Sequence, residues 1–587
     1  MLPTESLKLE INVPARMRDG VILYADIWRP DTEDKYPAIL TRLPYRKGAH
    51  MMKPGYMNPQ RIARTGYAVV IQDCRGTGES EGEHYHFRSE PEDGYDTVEW
   101  VSAQTWCDGN VGMYGPSYLG GTQWLAAVTQ PPHLKAICPA EAAATIRGLP
   151  TCKDGVFNLQ GSIVHTLRSS ADDIRRSKLA AEKKKALLGR LVHILDNIEE
   201  QYLFLPLKDV PAIKMLQEIG VANFYEDWLT HLADDEYWGQ LLSPVPIEKV
   251  AVPAFHMSGW SDFMASGVLK NFNAMKERAG SEQSRKNQKL LMGPWGHGVD
   301  LLSSGGELDF GIGSSGDAAD VTGMHIRWFD YWLKGIDNGI MDEPPVRIFV
   351  MGDNVWRDEN EWPLARAEYT NYYFHSRGRA NSLFGDGILS VDIPCEEEPD
   401  IYLYDPRNPV PTKWGVSGLN TYASDIQDQQ GIEERADILV YTTTLLAKDL
   451  EVTGPIEIKL FASSSAVDTD FTGKLVDVWP NGKAYNLVEG IVRARHRESG
   501  SEAKLIEPGK IYEYSIDLRD TSNVFKAGHR IRIEISSSNF PKYDRNLNTG
   551  HPIGQDAEMK IAVQTIYHDK RLRSHVLLPV IPRLCQK

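Results

Sequence analysis

The 587-residue chain is short of what metal, membrane or nucleic-acid proteins need. Its six cysteines (Cys74, Cys107, Cys138, Cys152, Cys395, Cys585) are scattered, with no C-x-x-C pair. Neither a zinc site nor a disulfide framework is indicated. Free thiols suit a reducing cytoplasm, the expected location. No metal or other cofactor is expected. No run of ~18 apolar residues occurs, so no membrane span is expected. The stretch Met1–Glu10 lacks a basic region followed by an apolar one, so no signal peptide is visible. Cations are scarce: 64 Lys+Arg stand against 80 Asp+Glu, for a net charge of −16. With no surplus to neutralise phosphates, the charge argues against a nucleic-acid partner. The glycine-rich stretch Cys74–Gly82 has no P-loop lysine, and Gly76-Thr77-Gly78 is followed by Ser80 and Glu81, against G-x-G-x-x-G. It reads as a structural βα loop rather than a phosphate cradle. Tandem repeats and low-complexity tracts are absent.

What is present is ordinary globular material: 42% hydrophobic and 25% charged residues. At ~150 residues per domain the chain has room for two to four domains. Residues 7–30 alternate apolar and polar around Asp19-Gly20, a β-hairpin signal. Between 36 and 140, short apolar strands alternate with helical stretches, implying a mostly parallel sheet covered on both faces. From 145 to 245 strand signals vanish and charged helical stretches dominate, including Lys183-Lys184-Lys185, read as a solvated helix face. An insertion this long should lie over the sheet as a cap. Strands return at Val252–Gly259 and Gln288–Pro294, and an aromatic helix, Met324–Lys334, closes the unit. Beyond 345, short alternating runs divided by Asn/Asp/Gly/Pro turns read as an all-β sandwich of jelly-roll type. The expected organisation is a catalytic α/β domain of 1–144 and 246–344, a helical cap of 145–245 and a β-sandwich of 345–587.

One stretch carries chemistry. In Gly112-Met113-Tyr114-Gly115-Pro116-Ser117-Tyr118-Leu119-Gly120-Gly121, a serine sits between a short strand and a helix, with small residues on both sides. That is the physical content of a nucleophile elbow. The usual G-x-S-x-G is imperfect here, since Leu119 stands where the second glycine belongs. An ordinary glycine-rich βα turn with a serine N-cap fits the same residues. Asp262 follows the strand that ends at Gly259, and His297 follows the one that ends at Pro294. In an open parallel sheet the C-terminal strand ends share one edge, so these three residues can meet. Ser…Asp…His is the α/β-hydrolase order. His297 would take the Ser117 proton while Asp262 holds the imidazole in one tautomer. His256 lies inside a strand, and Asp73 precedes the serine in the chain; both are weaker candidates.

The motifs Asp73–Gly82, Gly112–Tyr118, Gly259-Trp260-Ser261-Asp262, Gly293-Pro294-Trp295-Gly296-His297, Phe525–Arg532 and Ser536–Pro541 together resemble the CocE/NonD hydrolases, in the X-Pro dipeptidyl-peptidase (S15) superfamily. The resemblance covers nearly the whole chain. It implies an α/β-hydrolase domain with an inserted helical cap and a C-terminal jelly roll, and a serine motif that also lacks the second glycine. It implies that the Tyr45 hydroxyl and the Tyr118 backbone N–H form the oxyanion hole. Relatives acting on α-amino acid esters carry an Asp-x-Glu-Asp run; here it is Asp262-Phe263-Met264-Ala265, with apolar residues at both acidic places. The expectation is therefore a serine esterase for uncharged or aromatic small-molecule esters, with Trp260, Phe263 and Met264 lining the pocket. X-Pro dipeptidyl-peptidase or α-amino acid ester hydrolase activity is the alternative. An inactive hydrolase domain carrying a ligand-binding β-sandwich is the non-enzyme alternative. The family's assemblies suggest a homodimer.

Overall fold

The computed structural model describes residues 6–48, 57–143, 155–232, 235–297, 304–413, 426–498 and 502–583. Cys152, Cys585, the first five residues and positions 145–154 of the expected cap lie outside them.

Ten strands form the first sheet: β1 (Leu7–Arg16), β2 (Ile22–Pro30), β3 (Tyr36–Leu43), β4 (Ala68–Asp73), β5 (Cys107–Pro116), β6 (Leu134–Ala140), β7 (Ala254–Gly259), β8 (Gln288–Gly293), β9 (Val346–Val350) and β10 (Val355–Glu359). Their spatial order is β1-β2-β4-β3-β5-β6-β7-β8-β9-β10. From β4 through β9 every pairing is parallel. Parallel sheets are covered on both faces, and β4, β7 and β8 are buried along their whole length. Val69, Val70 and Ile71 are each fully buried, contributing about 1.5–3 kcal/mol apiece. The expected hairpin around Asp19-Gly20 joins β1 to β2.

One expectation needs correction. Alternation that resumes at Val346 places that run in the sandwich by pattern. Instead, β9 adds in parallel to β8, and β10 pairs antiparallel with β9 at the sheet edge. Local alternation fits either sheet; only pairing with β8 decides.

Four helices and one cap helix concern the site: α1 (Glu90–Ser102), α2 (Tyr118–Val128), α3 (Leu159–Arg176), α4 (Ala265–Arg278) and α5 (Val321–Lys334). All eleven residues of α2 are buried, as befits a helix apolar all round. Between β6 and β7 the described chain is helical, with α3 first and its own apolar core around Ile163, Leu167, Ile213 and Leu216. Helix α3 is tied down to the Cys74–Gly82 loop: the Gly78 N–H donates to Asp172 (2.8 Å) and Arg176 donates to the Gly78 carbonyl (2.6 Å). The loop is filled by its own side chains, since a Cβ on Gly78 would lie 2.2 Å from Asp73 Oδ2.

Beyond β10 the described chain is almost wholly β. Eleven strands form one connected set, nearly all antiparallel. Their core includes Ile458, Phe471, Ile516 and Ile533, and it is continuous with Trp260, Val268 and Leu269 of the catalytic unit. No helix among the described residues is long and apolar enough to cross a membrane.

Candidate active site

Strand β5 hands over to α2 with no intervening loop, so Ser117 must turn the chain alone. It does so at φ 57°, ψ −124°, a conformation that costs about 1–3 kcal/mol and persists only where neighbours enforce it. Two glycines allow it. Gly115 has φ 140°, and a Cβ there would lie 2.5 Å from the Leu119 Cβ. A Cβ on Gly120 would lie 2.3 Å from the Ala142 Cβ and 3.0 Å from the Ala140 carbonyl oxygen. Leu119 can therefore replace the usual second glycine because Gly115 makes room for it, and Gly120 is the position where α2 crosses the end of β6. The Ser117 N–H is held by the Ala140 carbonyl (2.9 Å), and its carbonyl accepts from Gly120 (2.9 Å) and Gly121 (3.0 Å). Tyr118 occupies the first helical position, whose N–H has no acceptor within a helix and lies at the positive end of the dipole.

The ends of β7 and β8 bring the other two residues together. A Cβ on Gly259 would lie 2.1 Å from the Trp295 carbonyl oxygen, so only glycine permits the approach. Trp260 N–H donates to the Gly293 carbonyl (2.9 Å) and Ser261 N–H to that of Trp295 (3.0 Å). This stitching sets Asp262 beside His297. Nδ1 of His297 lies 2.7 Å from Asp262 Oδ1, and Nε2 lies 2.9 Å from Ser117 Oγ. Asp262 is fully buried; its Oδ1 also accepts the Met264 N–H (2.9 Å) and its Oδ2 accepts the Ser258 hydroxyl (2.5 Å). With every donor aimed at it, the carboxylate has one orientation open to it.

Tyr45 stands two residues beyond β3, 42% exposed. Its ring meets the rings of Tyr118 (6.3 Å) and His165 (6.4 Å) edge-on. A phenol is protonated at neutral pH, so Tyr45 can act as a donor. The turn behind it is pinned by Lys47, whose N–H and Nζ reach the two Asp73 oxygens at 2.6 and 3.0 Å. Asp73 is thus committed to Lys47. The Tyr118 phenol is also occupied: it donates to Glu90 (3.0 Å), accepts the Phe87 N–H (3.1 Å), and its ring stacks on Phe87 at 4.0 Å. Burial and then Glu90 push it well up. Only the Tyr118 backbone N–H is available to a ligand.

The expected pocket residues divide. The Phe263 ring lies 4.3 Å from the His297 imidazole. Met264 is buried, with its N–H on Asp262. Trp260 must be withdrawn from the pocket: it is 1% exposed, its indole N–H donates to the Phe349 carbonyl (2.8 Å), and its ring lies on Trp362. A tryptophan beside a catalytic turn can face either way, and here the β unit's core claims it. His256 is buried and bonded to Gln288 (2.8 Å), and burial lowers it to about 4.

Sequence reasoning missed the imidazoles beside Tyr45. His86 and His165 meet Nε2 to Nε2 at 2.5 Å among Phe87, Phe224 and Trp228. Burial lowers His84 and His165 to about 4 and holds His86 well below the ordinary imidazole value. This wall is therefore uncharged at neutral pH. His84-Tyr85-His86 was visible in the sequence, but nothing linked it to a cap histidine eighty residues on.

Residues 19–299 match the model of the X-Pro dipeptidyl-peptidase (S15 family), and residues 338–577 that of the X-Pro dipeptidyl-peptidase C-terminal non-catalytic domain. Cocaine esterase of Rhodococcus sp. (strain MB1 Bresler) is 40% identical over 576 residues, covering 97% of this chain and 98% of its own. Among solved structures, an α-amino acid ester hydrolase aligns with TM-score 0.78 at 24% identity, covering 99% of this chain and 97% of that one. A CocE/NonD family hydrolase from Staphylococcus aureus aligns with TM-score 0.70 at 19% identity, covering 98% and 94%. These two likenesses concern the fold.

Proposed function

The chain belongs to the X-Pro dipeptidyl-peptidase (S15) family, on the side of the CocE/NonD hydrolases, and is a serine hydrolase; we propose that it cleaves uncharged or aromatic carboxylic esters through an acyl-enzyme on Ser117. The observation that carries this reading is the unbroken hydrogen-bonded run from Ser117 through His297 to buried Asp262. His297 accepts the hydroxyl proton as Ser117 Oγ attacks the carbonyl, then passes it to the departing alcohol. Asp262 stabilises the imidazolium in between. Water, activated by the same imidazole, frees the acid. The Tyr45 phenol and Tyr118 N–H donate to the oxyanion, where preplaced donors count most.

Removing one such donor costs about 10²–10³-fold in kcat. Tyr45→Phe should show that loss with KM little changed, since the phenol bonds the oxyanion more strongly than the ground-state carbonyl. Stopped-flow kinetics on p-nitrophenyl acetate measures it; a change below threefold removes Tyr45 from the role.

The substrate class rests on charge. Met264 and Ala265 stand where an ammonium-binding run would be acidic, and the imidazole wall beside Tyr45 is neutral. A 40% identical relative is a cocaine esterase, which favours esters over N-terminal peptides. Turnover of p-nitrophenyl butyrate should exceed that of Gly-Pro-p-nitroanilide by at least about 100-fold, a difference of roughly 2.7 kcal/mol in barrier. Faster turnover of the anilide would make the enzyme a dipeptidyl-peptidase.

A further inference from the structure

The β unit reaches the catalytic machinery from behind. Its core is continuous with Trp260, Val268 and Leu269, which flank the Asp262 turn. At the polar end of this contact stands Asp520, on the strand Tyr512–Phe525, 8% exposed. Its Oδ2 accepts the Ser266 hydroxyl at 3.2 Å. Ser266 lies in the first turn of α4, two residues after Met264, whose N–H holds Asp262. The Trp362 ring lies 5.4 Å from that of Trp260, two residues before Asp262. A carboxylate of the β unit therefore holds the helix start that follows the Asp262 turn, while the Trp362 ring packs on Trp260 before it.

We propose that Asp520 is a positioning residue for Asp262, holding through Ser266 the helix start that follows its turn, so that the carboxylate keeps its contact with His297. The β unit then contributes to the chemistry without touching substrate. The inference rests on Asp262 being the acid of the triad.

The site is an unfavourable one for a carboxylate. Burial, and then Asp517, push Asp520 up to about 6, while Lys270, Ser266 and Trp362 pull it back. Its folded value lies above the unfolded 3.8. Its contribution to stability is thus complete below the unfolded value and is lost as pH rises through about 6. At about pH 8 the ionised group opposes folding, the pattern expected where stability is given up for function.

That sign separates positioning from mere support. With the full-length chain and p-nitrophenyl acetate at about pH 8, Asp520→Asn keeps one acceptor and should lower kcat about 5-fold, and Asp520→Ala about 20-fold, with KM within about twofold, because small displacements of catalytic groups are costly. Ser266→Ala should fall between wild type and Asp520→Ala. The melting temperature of Asp520→Asn should equal or exceed that of wild type. If kcat stays within about twofold in both Asp520 variants, or if kcat and melting temperature fall together in Asp520→Asn, the proposal is overturned. Asp262→Asn is measured alongside: an active Asp262→Asn defeats the triad reading itself, whereas an inactive one beside a fully active Asp520→Ala removes only the strut.

Discussion

Ser117→Ala should abolish the burst of p-nitrophenol from p-nitrophenyl esters and lower kcat by about 10⁶-fold, leaving a residue of about 10³–10⁴ over water from the oxyanion donors and binding. The reason is geometric. Ser117 is the group 2.9 Å from His297 Nε2, and alanine leaves the imidazole nothing to deprotonate but water. The fold should not suffer. The elbow's backbone bonds run through the Ser117 N–H and carbonyl, which alanine keeps, and the strained φ is set by Gly115 and Gly120 rather than by the hydroxyl. An unchanged melting temperature with no burst is the expected pair of results. A retained burst would mean that another residue is acylated, and the assignment of Ser117 would fall.

Asp262→Asn comes second, with an expected loss of about 10⁴-fold in kcat. The carboxylate accepts three hydrogen bonds, from His297, Met264 and Ser258. An amide can supply only one end as acceptor. If its oxygen stays with Met264 and His297, the imidazole keeps its tautomer but loses the negative charge that stabilises it once protonated. If the amide turns over, its N–H₂ faces Nδ1, and the imidazole must take the tautomer with its proton on Nε2, which cannot accept the Ser117 proton. Either way the chemical step suffers more than binding, so KM should stay within a few-fold. A loss smaller than about tenfold would show that Asp262 only props the turn.

How much of this was legible in the chain depended on the range of the interaction concerned. Ser117 could be found because a strand, a serine and small residues lie within ten positions, and the steric demands of the turn act between neighbours. Asp262 and His297 could be placed with it because a parallel sheet gathers its C-terminal strand ends on one edge, so strand order alone implies proximity. Leu119 looked like a flaw in the motif; the structure supplies the physical reason it is tolerated, in the room left by Gly115. Tyr45 was assigned by family resemblance, since nothing local sets it apart from other tyrosines at strand ends. Trp260 was misjudged, and Val346–Val350 was given to the wrong sheet, for one cause: period-2 alternation and aromatic character record that a face is buried, not what buries it.

From the sequence alone came the α/β class, the all-β half, the nucleophile turn and the chain order of the three catalytic candidates. All of these rest on local sterics, hydrophobic periodicity and the geometry of parallel strands. Only the tertiary structure decided that β9 and β10 extend the catalytic sheet, that the Tyr118 side chain is committed to Glu90 and Phe87, that His165 of α3 meets His86 beside Tyr45, and that Asp520 lies behind the Asp262 turn. These contacts join residues tens to hundreds of positions apart. Their partners are chosen by how packed surfaces fit together, and no local pattern in the chain carries that information.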